Sequence, residues 1–455
     1  MGGYCRPKTA HEDRIRIGVW TPTGLQAGVS RMACVCKSLR NLVGLPGFEP
    51  GTSCTPSKRA SQAAPQPESS ILADPTRTVY FLLMKITNVE AMYLRLPQVK
   101  EQCDSGQDAL IVRIETDAGI TGLGEVDSSP LAVKGVIDGP FSHTITSGLA
   151  HLVTGEDPFE TEKIWHKMYS ANIYSGRRGI AIHAMSGIDM ALWDIKGKAL
   201  GMPVWKLLGG GFHSRVRCYA SSLFGPSPDA TRDLAGRFRD QGFQAVKFGW
   251  HPMGQDERTD RALVREARRG LGDDADLLID AGLVWDAKTA IQRANAFAEQ
   301  NIFWLEEPLR ADDYEGYRKL SQATPVRIAA GEEESNRLSY LDLMDKGQID
   351  VVQVDLTRCG GFTEAMKIAS LAHDRGLPVA NHGFTTYINV AAALHWLNSI
   401  PNALICEFVA EEETNLREHL TKQKFRAKDG YLDIPQEPGL GIDLEEDAIR
   451  RYRVA

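Results

Sequence analysis

The chain lacks long hydrophobic runs and an excess of positive charge, and these absences exclude several classes of protein. No stretch approaches the roughly 20 uninterrupted apolar residues that a membrane-spanning helix needs. The formal net charge is −7, so electrostatics give no reason to expect nucleic acid or an anionic membrane surface as a partner. The N-terminus also lacks a compact hydrophobic segment followed by a small-residue cleavage site. We therefore expect a cytoplasmic protein whose partner is a small molecule.

Cysteine is also sparse, with eight residues in a chain of 455. Four of them lie before residue 55, and the others are at positions 103, 218, 359 and 406. This spacing matches neither a dense disulfide framework nor paired zinc ligands. What the chain does contain is 43% hydrophobic and 24% charged residues, which is typical of a globular protein with a sizeable core.

Residues 1–83 differ in composition from the rest of the chain. They are rich in Gly, Pro, Ser and Thr, and residues 1–60 hold nine Lys and Arg against three Asp and Glu. No helical or strand period is sustained there. One interpretation is a basic, disordered arm or an organellar presequence. We favour the other, in which this segment lies outside the functional domain and Met84 is the natural start.

Residues 84–210 predict an α+β domain. The segment "DALIVRIETDAG" followed by "ITGLGEV" is typical of a β-hairpin around an Asp-Ala-Gly turn. The later stretch "GIAIHAMSGIDMALWDIKGKALG" has apolar residues at helical spacing and ends on glycine, which favours helix termination.

Residues 211–410 are periodic. Eight short apolar runs recur, each separated from the next by one amphipathic helical stretch. This alternation favours a closed (β/α)8 barrel over an open sheet, with residues 411–455 left as a C-terminal segment. The runs are "RCYASS" (217), "AVKFG" (245), "DLLIDAG" (276), "FWLEEP" (303), "RIAAGEE" (327), "VVQVDLT" (351), "PVANHG" (378) and "ALICEF" (403).

Charged residues stand at the ends of these runs, where barrel enzymes carry their catalytic groups. Asp280, Glu306 and Glu332 end three consecutive predicted strands and are separated by 26 residues each, one barrel unit. Side by side, such carboxylates repel one another unless a cation lies between them. Oxygen ligands of this kind suit Mg²⁺. The alternative is that each acid forms an ordinary salt bridge.

Asp355 and His382 end the next two predicted strands. A carboxylate that accepts a hydrogen bond from one imidazole nitrogen fixes the tautomer and raises the basicity of the ring. His382 is therefore a candidate general acid or base, and the alternative is a structural histidine with satisfied hydrogen bonds.

The stretches "LLIDAG", "WLEEP", "AAGEE", "VDLTRCGG" and "NHGF" together resemble the enolase superfamily, and within it the mandelate racemase subgroup. The resemblance covers residues 84–455 and implies an α+β capping domain, a modified barrel and a C-terminal segment that completes the cap. It also implies an even-numbered homo-oligomer. The implied site residues are Mg²⁺ ligands Asp280, Glu306 and Glu332, the dyad Asp355 and His382, Glu407 as a hydrogen-bond partner of the substrate, and Glu307 beside the ligands.

Members of the subgroup that racemise their substrate end the second barrel strand in Lys-x-Lys, and the second lysine is a base on the face opposite the histidine. This chain has Lys247, Phe248 and Gly249 there. With one acid/base face, His382 can remove an α-proton and return it to a departing 3-hydroxyl. The resemblance therefore implies a carbon–oxygen lyase (hydro-lyase) that dehydrates an aldonate or aldarate. Lys247 then acts as a fixed cation for the substrate, or alternatively only as a structural counter-charge to the acids.

Other functions remain open at this point. A racemase or epimerase of a 2-hydroxy acid is possible if His251 replaces the missing base. Cycloisomerases and dipeptide epimerases of the superfamily typically carry a lysine on the sixth strand, and Asp355 at that position disfavours both. A non-catalytic barrel that binds Mg²⁺ is a further alternative. Candidate contacts with the substrate are Arg177, Arg178, Trp250, His251 and the segments 93–97 and 127–130, although both arginines are equally compatible with an ordinary surface or interface position.

Overall fold

The computed structural model describes residues 84–100, 106–143, 145–410 and 416–454. The predictions for residues 1–83 lie outside these ranges. Among the helices of the described ranges, none has the length and apolar character needed to cross a bilayer.

The first region is a three-stranded antiparallel sheet with helices on it, which we call the cap. Its strands have the order β1-β2-β3, and the β2–β3 hairpin turns at Gly119 with φ of 73°. The strands are β1 (Ile86–Arg95), β2 (Asp108–Thr116) and β3 (Thr121–Val126). The helices are α1 (Pro130–Asp138), α2 (Leu149–Val153), α3 (Thr161–Ala171), α4 (Ile180–Leu200) and α5 (Val204–Leu207).

Strand β3 and helix α4 approach each other closely, because glycine lines the contact on both elements. A Cβ atom added to Gly124 would lie 1.9 Å from the carbonyl oxygen of Gly187, and one added to Gly122 would lie 2.1 Å from that of Ala191. Helix α4 ends at Gly201 in the left-handed conformation, as the sequence predicts. The long helix is therefore seated directly on the sheet backbone.

The second region is a closed barrel of eight parallel strands. Each strand pairs with its neighbour in sequence, and β11 pairs with β4 to close the ring. Every one of the eight predicted apolar runs overlaps a barrel strand, so the predicted capping domain and (β/α)8 barrel are confirmed. The strands are β4 (Arg215–Leu223), β5 (Ala245–Gly249), β6 (Asp276–Asp280), β7 (Ile302–Glu306), β8 (Ile328–Ala330), β9 (Val351–Val354), β10 (Val379–Asn381) and β11 (Ala403–Val409).

Helices connect the barrel strands, and several begin at a side chain that caps the helix. Ser227, Asp256, Asp286 and Asp313 each accept a hydrogen bond from a backbone N–H in the first helical turn. The helices are α6 (Pro228–Asp240), α7 (Glu257–Leu271), α8 (Ala287–Ala298), α9 (Tyr314–Ala323), α10 (Arg337–Asp342) with a π-helical turn (Leu343–Gly347), α11 (Gly361–Asp374) and α12 (Tyr387–Asn398).

The C-terminal segment returns to the cap. After α13 (Arg417–Leu420) it forms β12 (Tyr431–Asp433), which pairs antiparallel with the start of β4, and then α14 (Glu446–Tyr452). The backbone N–H of Val454 donates to the carbonyl oxygen of Tyr93 in β1 at 2.9 Å. The last described residues therefore bind the edge of the cap sheet.

A layer of hydrophobic side chains fills the barrel interior below the carboxyl ends of the strands. Buried members include Tyr219, Leu278, Trp304, Val351 and Ile405, all at most 1% exposed. Because this layer closes the inside of the barrel, polar side chains above it face the carboxyl ends of the strands and the cap.

Candidate active site

The carboxyl ends of the strands enclose a cavity of about 710 Å³. Strand pairing places Gly249, Asp280 and Glu306 opposite one another at one level of the barrel. Of the predicted site residues, those that line the cavity are Lys247, Trp250, His251, Asp280, Glu332, His382 and Glu407. Glu306 and Asp355 are fully buried beneath that lining.

Lys247 lies at the centre of the acidic cluster. Its ammonium group contacts a carboxylate oxygen of Glu306, lies 2.7 Å from Glu407 Oε1 and 4.0 Å from Asp280 Oδ2. Burial alone would lower the pKa of this ammonium, but Glu306 and Glu407 hold that pKa well above its usual value. Lys247 is therefore a permanent cation whose desolvation is offset by acids on other strands.

Asp280 and Glu306 are buried acids with too little positive charge around them. Burial raises the pKa of Asp280 well above its usual range, and the neighbouring Glu306 raises it further. Burial also raises the pKa of Glu306, although Lys247 opposes that shift. Trp304 Nε1 donates to Glu306 Oε2 at 2.9 Å, and the Gly282 N–H donates to Asp280 Oδ1 at 2.8 Å. Two acids held close with raised pKa values are suited to a cation of higher charge than lysine.

Glu332 lies between the acids and the histidine. Its Oε2 atom is 3.4 Å from His382 Nε2, and its Oε1 atom is 3.7 Å from Arg358 Nη1. Within the described residues, the groups of three whose ligating atoms fall within 4.8 Å of one another are Glu307, Glu332 and Glu333, and Asp127, Asp355 and His382. The predicted trio of Asp280, Glu306 and Glu332 is not such a group, and Lys247 engages the Glu306 carboxylate.

His382 and Asp355 form a dyad. His382 Nδ1 lies 2.7 Å from Asp355 Oδ2, and Asp355 Oδ1 accepts hydrogen bonds from the backbone N–H and the hydroxyl of Thr357. Burial opposes the charged imidazolium, but Glu332 and Asp355 raise the pKa of His382 to about 10. With Nδ1 bound to the carboxylate, Nε2 is the atom directed toward the cavity and available for proton transfer.

Glu407 joins the last barrel strand to the first. Its Oε1 atom accepts from Ser221 Oγ at 2.8 Å, and its Oε2 atom accepts from the Gly383 N–H at 2.8 Å. Burial opposes ionisation, but Lys247 and His382 lower the pKa of this carboxyl below its usual value. Glu407 is therefore an ionised acceptor on the cavity wall.

Gly249 has no room for a side chain in this arrangement. A Cβ atom there would lie 2.8 Å from both Cβ and Oδ2 of Asp280. Any larger residue at 249 requires the Asp280 side chain to move. A second lysine at position 249 and the observed position of the Asp280 carboxylate therefore exclude each other.

The four predicted substrate contacts divide into two pairs. Trp250 and His251 lie on the cavity wall, and Gln255 Nε2 lies 2.7 Å from His251 Nε2. Arg177 and Arg178 are not among the residues that line the cavity. Arg178 lies 3.7 Å from Asp342, with its side chain 53% exposed.

Sequence reasoning missed Arg358, which lines the cavity just beyond the dyad carboxylate. Arg358 Nη2 lies 2.7 Å from Asp127 Oδ2 in the cap, and Arg358 Nε lies 3.8 Å from Asp355 Oδ2. The stretch "VDLTRCGG" could have identified Arg358, because this residue follows a strand end, as the acids of the site do. Its partner Asp127 belongs to a cap segment that the sequence did mark.

Two family models match the chain. The mandelate racemase / muconate lactonizing enzyme N-terminal domain matches residues 86–209, which is the cap, and the enolase C-terminal domain-like model matches residues 230–448. The chain belongs to the enolase superfamily. The resemblance inferred from the motifs is therefore confirmed.

Several relatives of the chain are named as enzymes that act on sugar acids or their lactones. The chain is 32% identical over 391 residues to a D-galactarolactone cycloisomerase of Agrobacterium fabrum, covering 82% of this chain and 99% of the relative. It is 33% identical over 359 residues to a D-galactonate dehydratase of Xanthomonas oryzae pv. oryzae, covering 75% and 90%. The crystal structure of the 3,6-anhydro-D-galactonate cycloisomerase from Zobellia galactanivorans superposes with a TM-score of 0.74 at 31% identity, covering 82% of this chain and all of that one.

Proposed function

We propose that this enolase-superfamily member is a Mg²⁺-dependent hydro-lyase that dehydrates a sugar acid to a 2-keto-3-deoxy acid. One observation carries the proposal: the His382–Asp355 dyad lies at the cavity, while Gly249 stands where racemising relatives carry a second base. A single acid/base group is sufficient for β-elimination, whereas racemisation needs a group on each face of the substrate.

Asp280, Glu306 and Glu332 would hold the cation. All three are buried carboxylates, and the raised pKa values of Asp280 and Glu306 are those of acids that lack a strong counter-charge. Hard oxygen donors on adjacent strands match the ligand preference of Mg²⁺. When bound, such an ion stabilises the negative charge that develops on a substrate carboxylate.

The chain's own residues then account for the proton transfers. A cation held at Glu332 would offset the charge that raises the His382 pKa and so favour the neutral imidazole. Neutral His382 Nε2 then takes the proton from the carbon next to the substrate carboxylate, and the C–H electrons form the enediolate. As the enediolate collapses, the bond from C3 to its hydroxyl breaks, and His382 returns the proton so that water departs. The resulting enol tautomerises to the 2-keto-3-deoxy acid. Proton transfer of this kind contributes typically about 10² to 10⁴ in rate.

Lys247 and Glu407 orient the substrate in this proposal. The Lys247 ammonium is a fixed donor near the acids and stabilises the developing anion without losing its proton. Glu407 remains ionised and accepts hydrogen bonds, which suits a sugar hydroxyl. Both groups are buried and held by several partners, so their positions are set before the substrate binds.

A second candidate is ring opening of a cyclic sugar acid. It is favoured by the cycloisomerase relative in Agrobacterium fabrum and the Zobellia galactanivorans structure, which the chain matches over 99% and 100% of their lengths. The chemistry is closely related, since α-proton removal by His382 would be followed by loss of a ring oxygen instead of water. Dehydration lowers the mass of the organic product by one water, whereas cycloisomerisation leaves the mass unchanged.

The test is an assay of the full chain with Mg²⁺ against linear sugar acids and their lactone or anhydro forms. Products are identified by mass spectrometry and by 2-keto acid detection. We expect a linear acid to lose water, and His382→Asn to abolish the product while His373→Asn, an exposed histidine on α11, retains it. Exchange of the α-proton with deuterated solvent without elimination, surviving in His382→Asn, would instead establish an epimerase that uses His251 or Lys247.

A further inference from the structure

We infer that the outer part of this cavity selects monocarboxylic sugar acids with an uncharged, deoxygenated end and disfavours diacids. The inference rests on the proposed function, because it assumes that the substrate carboxylate binds beside the acids and Lys247. It concerns the other end of the same molecule, which extends from His382 toward the cap.

An apolar wall forms that outer part. Its members are the last residue of β4 and residues of the loops that follow β4, β5 and β10. Phe224 is held in place by stacking on Phe248, with ring centroids 5.8 Å apart. Trp250 packs over Gly282, where an added Cβ would lie 3.1 Å from the indole ring. The wall consists of Leu223, Phe224, Pro226, Trp250 and Phe384.

The Lys and Arg side chains of the described cavity lining, Lys247 and Arg358, are already engaged, and His382 is held by Asp355. Lys247 contacts Glu306 and Glu407. Arg358 lies 2.7 Å from Asp127, and the Asp127 carboxylate itself faces the cavity. A second substrate carboxylate would therefore meet an apolar wall and a like charge, without an unpaired Lys or Arg side chain in the described lining.

The sequence supplies no further Lys or Arg in the three internal gaps between the described ranges. Residues 101–105 read EQCDS, residue 144 is threonine and residues 411–415 read EEETN. Arg177 and Arg178, which the sequence offered as candidate contacts with the substrate, are not among the residues that line the cavity. Charge and apolar surface thus agree: a methyl or methylene end is favoured at the wall and a carboxylate is not.

The test uses sets of six-carbon acids that differ only at C6, which is a methyl, a hydroxymethyl or a carboxylate carbon. The galacto set is D-fuconate, D-galactonate and galactarate, and a manno set is prepared in the same way. Affinities are measured by calorimetry on the His382→Asn protein with Mg²⁺, and kcat/KM is measured on the unaltered protein. We expect the methyl acid to exceed the diacid by at least about tenfold in each quantity.

A charge-gain variant sharpens the test. Trp250→Arg adds a cation to the wall and is expected to raise the affinity for the diacid about tenfold relative to the methyl acid. The matched control is Val284→Arg, because Val284 is 47% exposed and is not among the cavity-lining residues. We expect the control to leave the ratio unchanged.

The outcomes separate this inference from the proposed function. A diacid that binds as well as the methyl acid, or is turned over faster, overturns the inference and leaves dehydration intact. Tighter binding of the methyl acid with no turnover of any acid supports the inference and overturns the proposed reaction. Absence of binding and turnover across both sets overturns both.

Discussion

Glu125 of the cap and Thr386 of the barrel are joined by a 2.7 Å hydrogen bond from Thr386 Oγ1 to Glu125 Oε2. The same carboxylate accepts from the backbone N–H groups of Thr386 and Asn389 at 3.2 and 3.0 Å. Thr386 caps the start of α12, four residues after His382. A buried acid of the cap therefore binds the N-terminus of α12, the helix that follows the loop carrying His382, where the helix dipole favours negative charge.

The burial of Glu125 predicts that its contribution to the free energy of unfolding depends on pH. Burial raises the pKa of Glu125 to about 7, although the Thr386 hydrogen bond opposes the shift. Since an unfolded Glu has a pKa near about 4.3, the folded protein binds more protons between these values. Stability contributed by this group is then greatest at low pH and is lost as pH rises through about 7.

We expect Glu125→Gln to reduce the loss of unfolding free energy between pH 5 and 8 by about 2 kcal/mol. The measurement is urea denaturation at several pH values for both proteins. Asp189, whose burial also raises its pKa to about 7, titrates in the same direction in both, so only the difference between the two curves is informative. Parallel curves would mean that Glu125 stays ionised in the folded protein.

Substitution of Gly249 should disturb the site. Gly249→Ala places a Cβ 2.8 Å from the Asp280 carboxylate, so we expect a destabilisation of about 1–3 kcal/mol and weaker Mg²⁺ binding. Gly135→Ala in α1 is the control, because nothing lies within 4 Å of its added Cβ. The control should be neutral or slightly stabilising. Equal melting temperatures for both variants would show that the Asp280 side chain moves away from the added Cβ without loss of stability.

Mg²⁺ should stabilise the folded chain by binding to Asp280, Glu306 and Glu332. We expect the melting temperature to rise with Mg²⁺ concentration, to fall again with EDTA, and to become insensitive to Mg²⁺ in Glu306→Gln. Glu333→Gln tests the competing group of Glu307, Glu332 and Glu333. If Glu333→Gln removes the Mg²⁺ response and Glu306→Gln retains it, the ion binds the other group.

Asp355→Asn should lower kcat far more than it changes KM. The amide keeps the shape of the side chain but cannot stabilise an imidazolium at His382 2.7 Å away, so we expect a loss of about 10² to 10⁴ in kcat. Asp350→Asn is a matched control at the opposite end of β9, where the carboxylate accepts from the Ile328 N–H. A change confined to KM would assign Asp355 to substrate binding.

The strands and strand-end acids were accessible from sequence because the barrel repeats one local pattern. Each apolar run and its charged end span only a few residues, so the pattern is recognisable locally. The regular spacing of Asp280, Glu306 and Glu332 equals the length of one strand-and-helix unit. Eight units favour a closed barrel but do not establish it, and the pairing of β11 with β4 in the structure confirms the closure.

Contacts between distant parts of the chain were not accessible in this way. The Glu125–Thr386 pair spans 261 residues and the Arg358–Asp127 pair spans 231. Nothing in the local sequence distinguishes Glu125 from the acids of any half-buried strand, and nothing separates Arg177 and Arg178 from arginines near a cavity. These assignments depend on how the cap meets the barrel, which is a property of packing.

The pairing of β11 with β4 has a consequence for biosynthesis. Glu407 on the last barrel strand binds Ser221 on the first, so one wall of the cavity exists only when both strands are in place. During translation the nascent chain carries Lys247, Asp280, Glu306 and Glu332 well before residues 403–409 leave the ribosome, and His382 precedes residue 403 by 21 residues. Closure of the ring and assembly of the cavity are thus one late event, and a partly made chain holds its charged residues without a finished site.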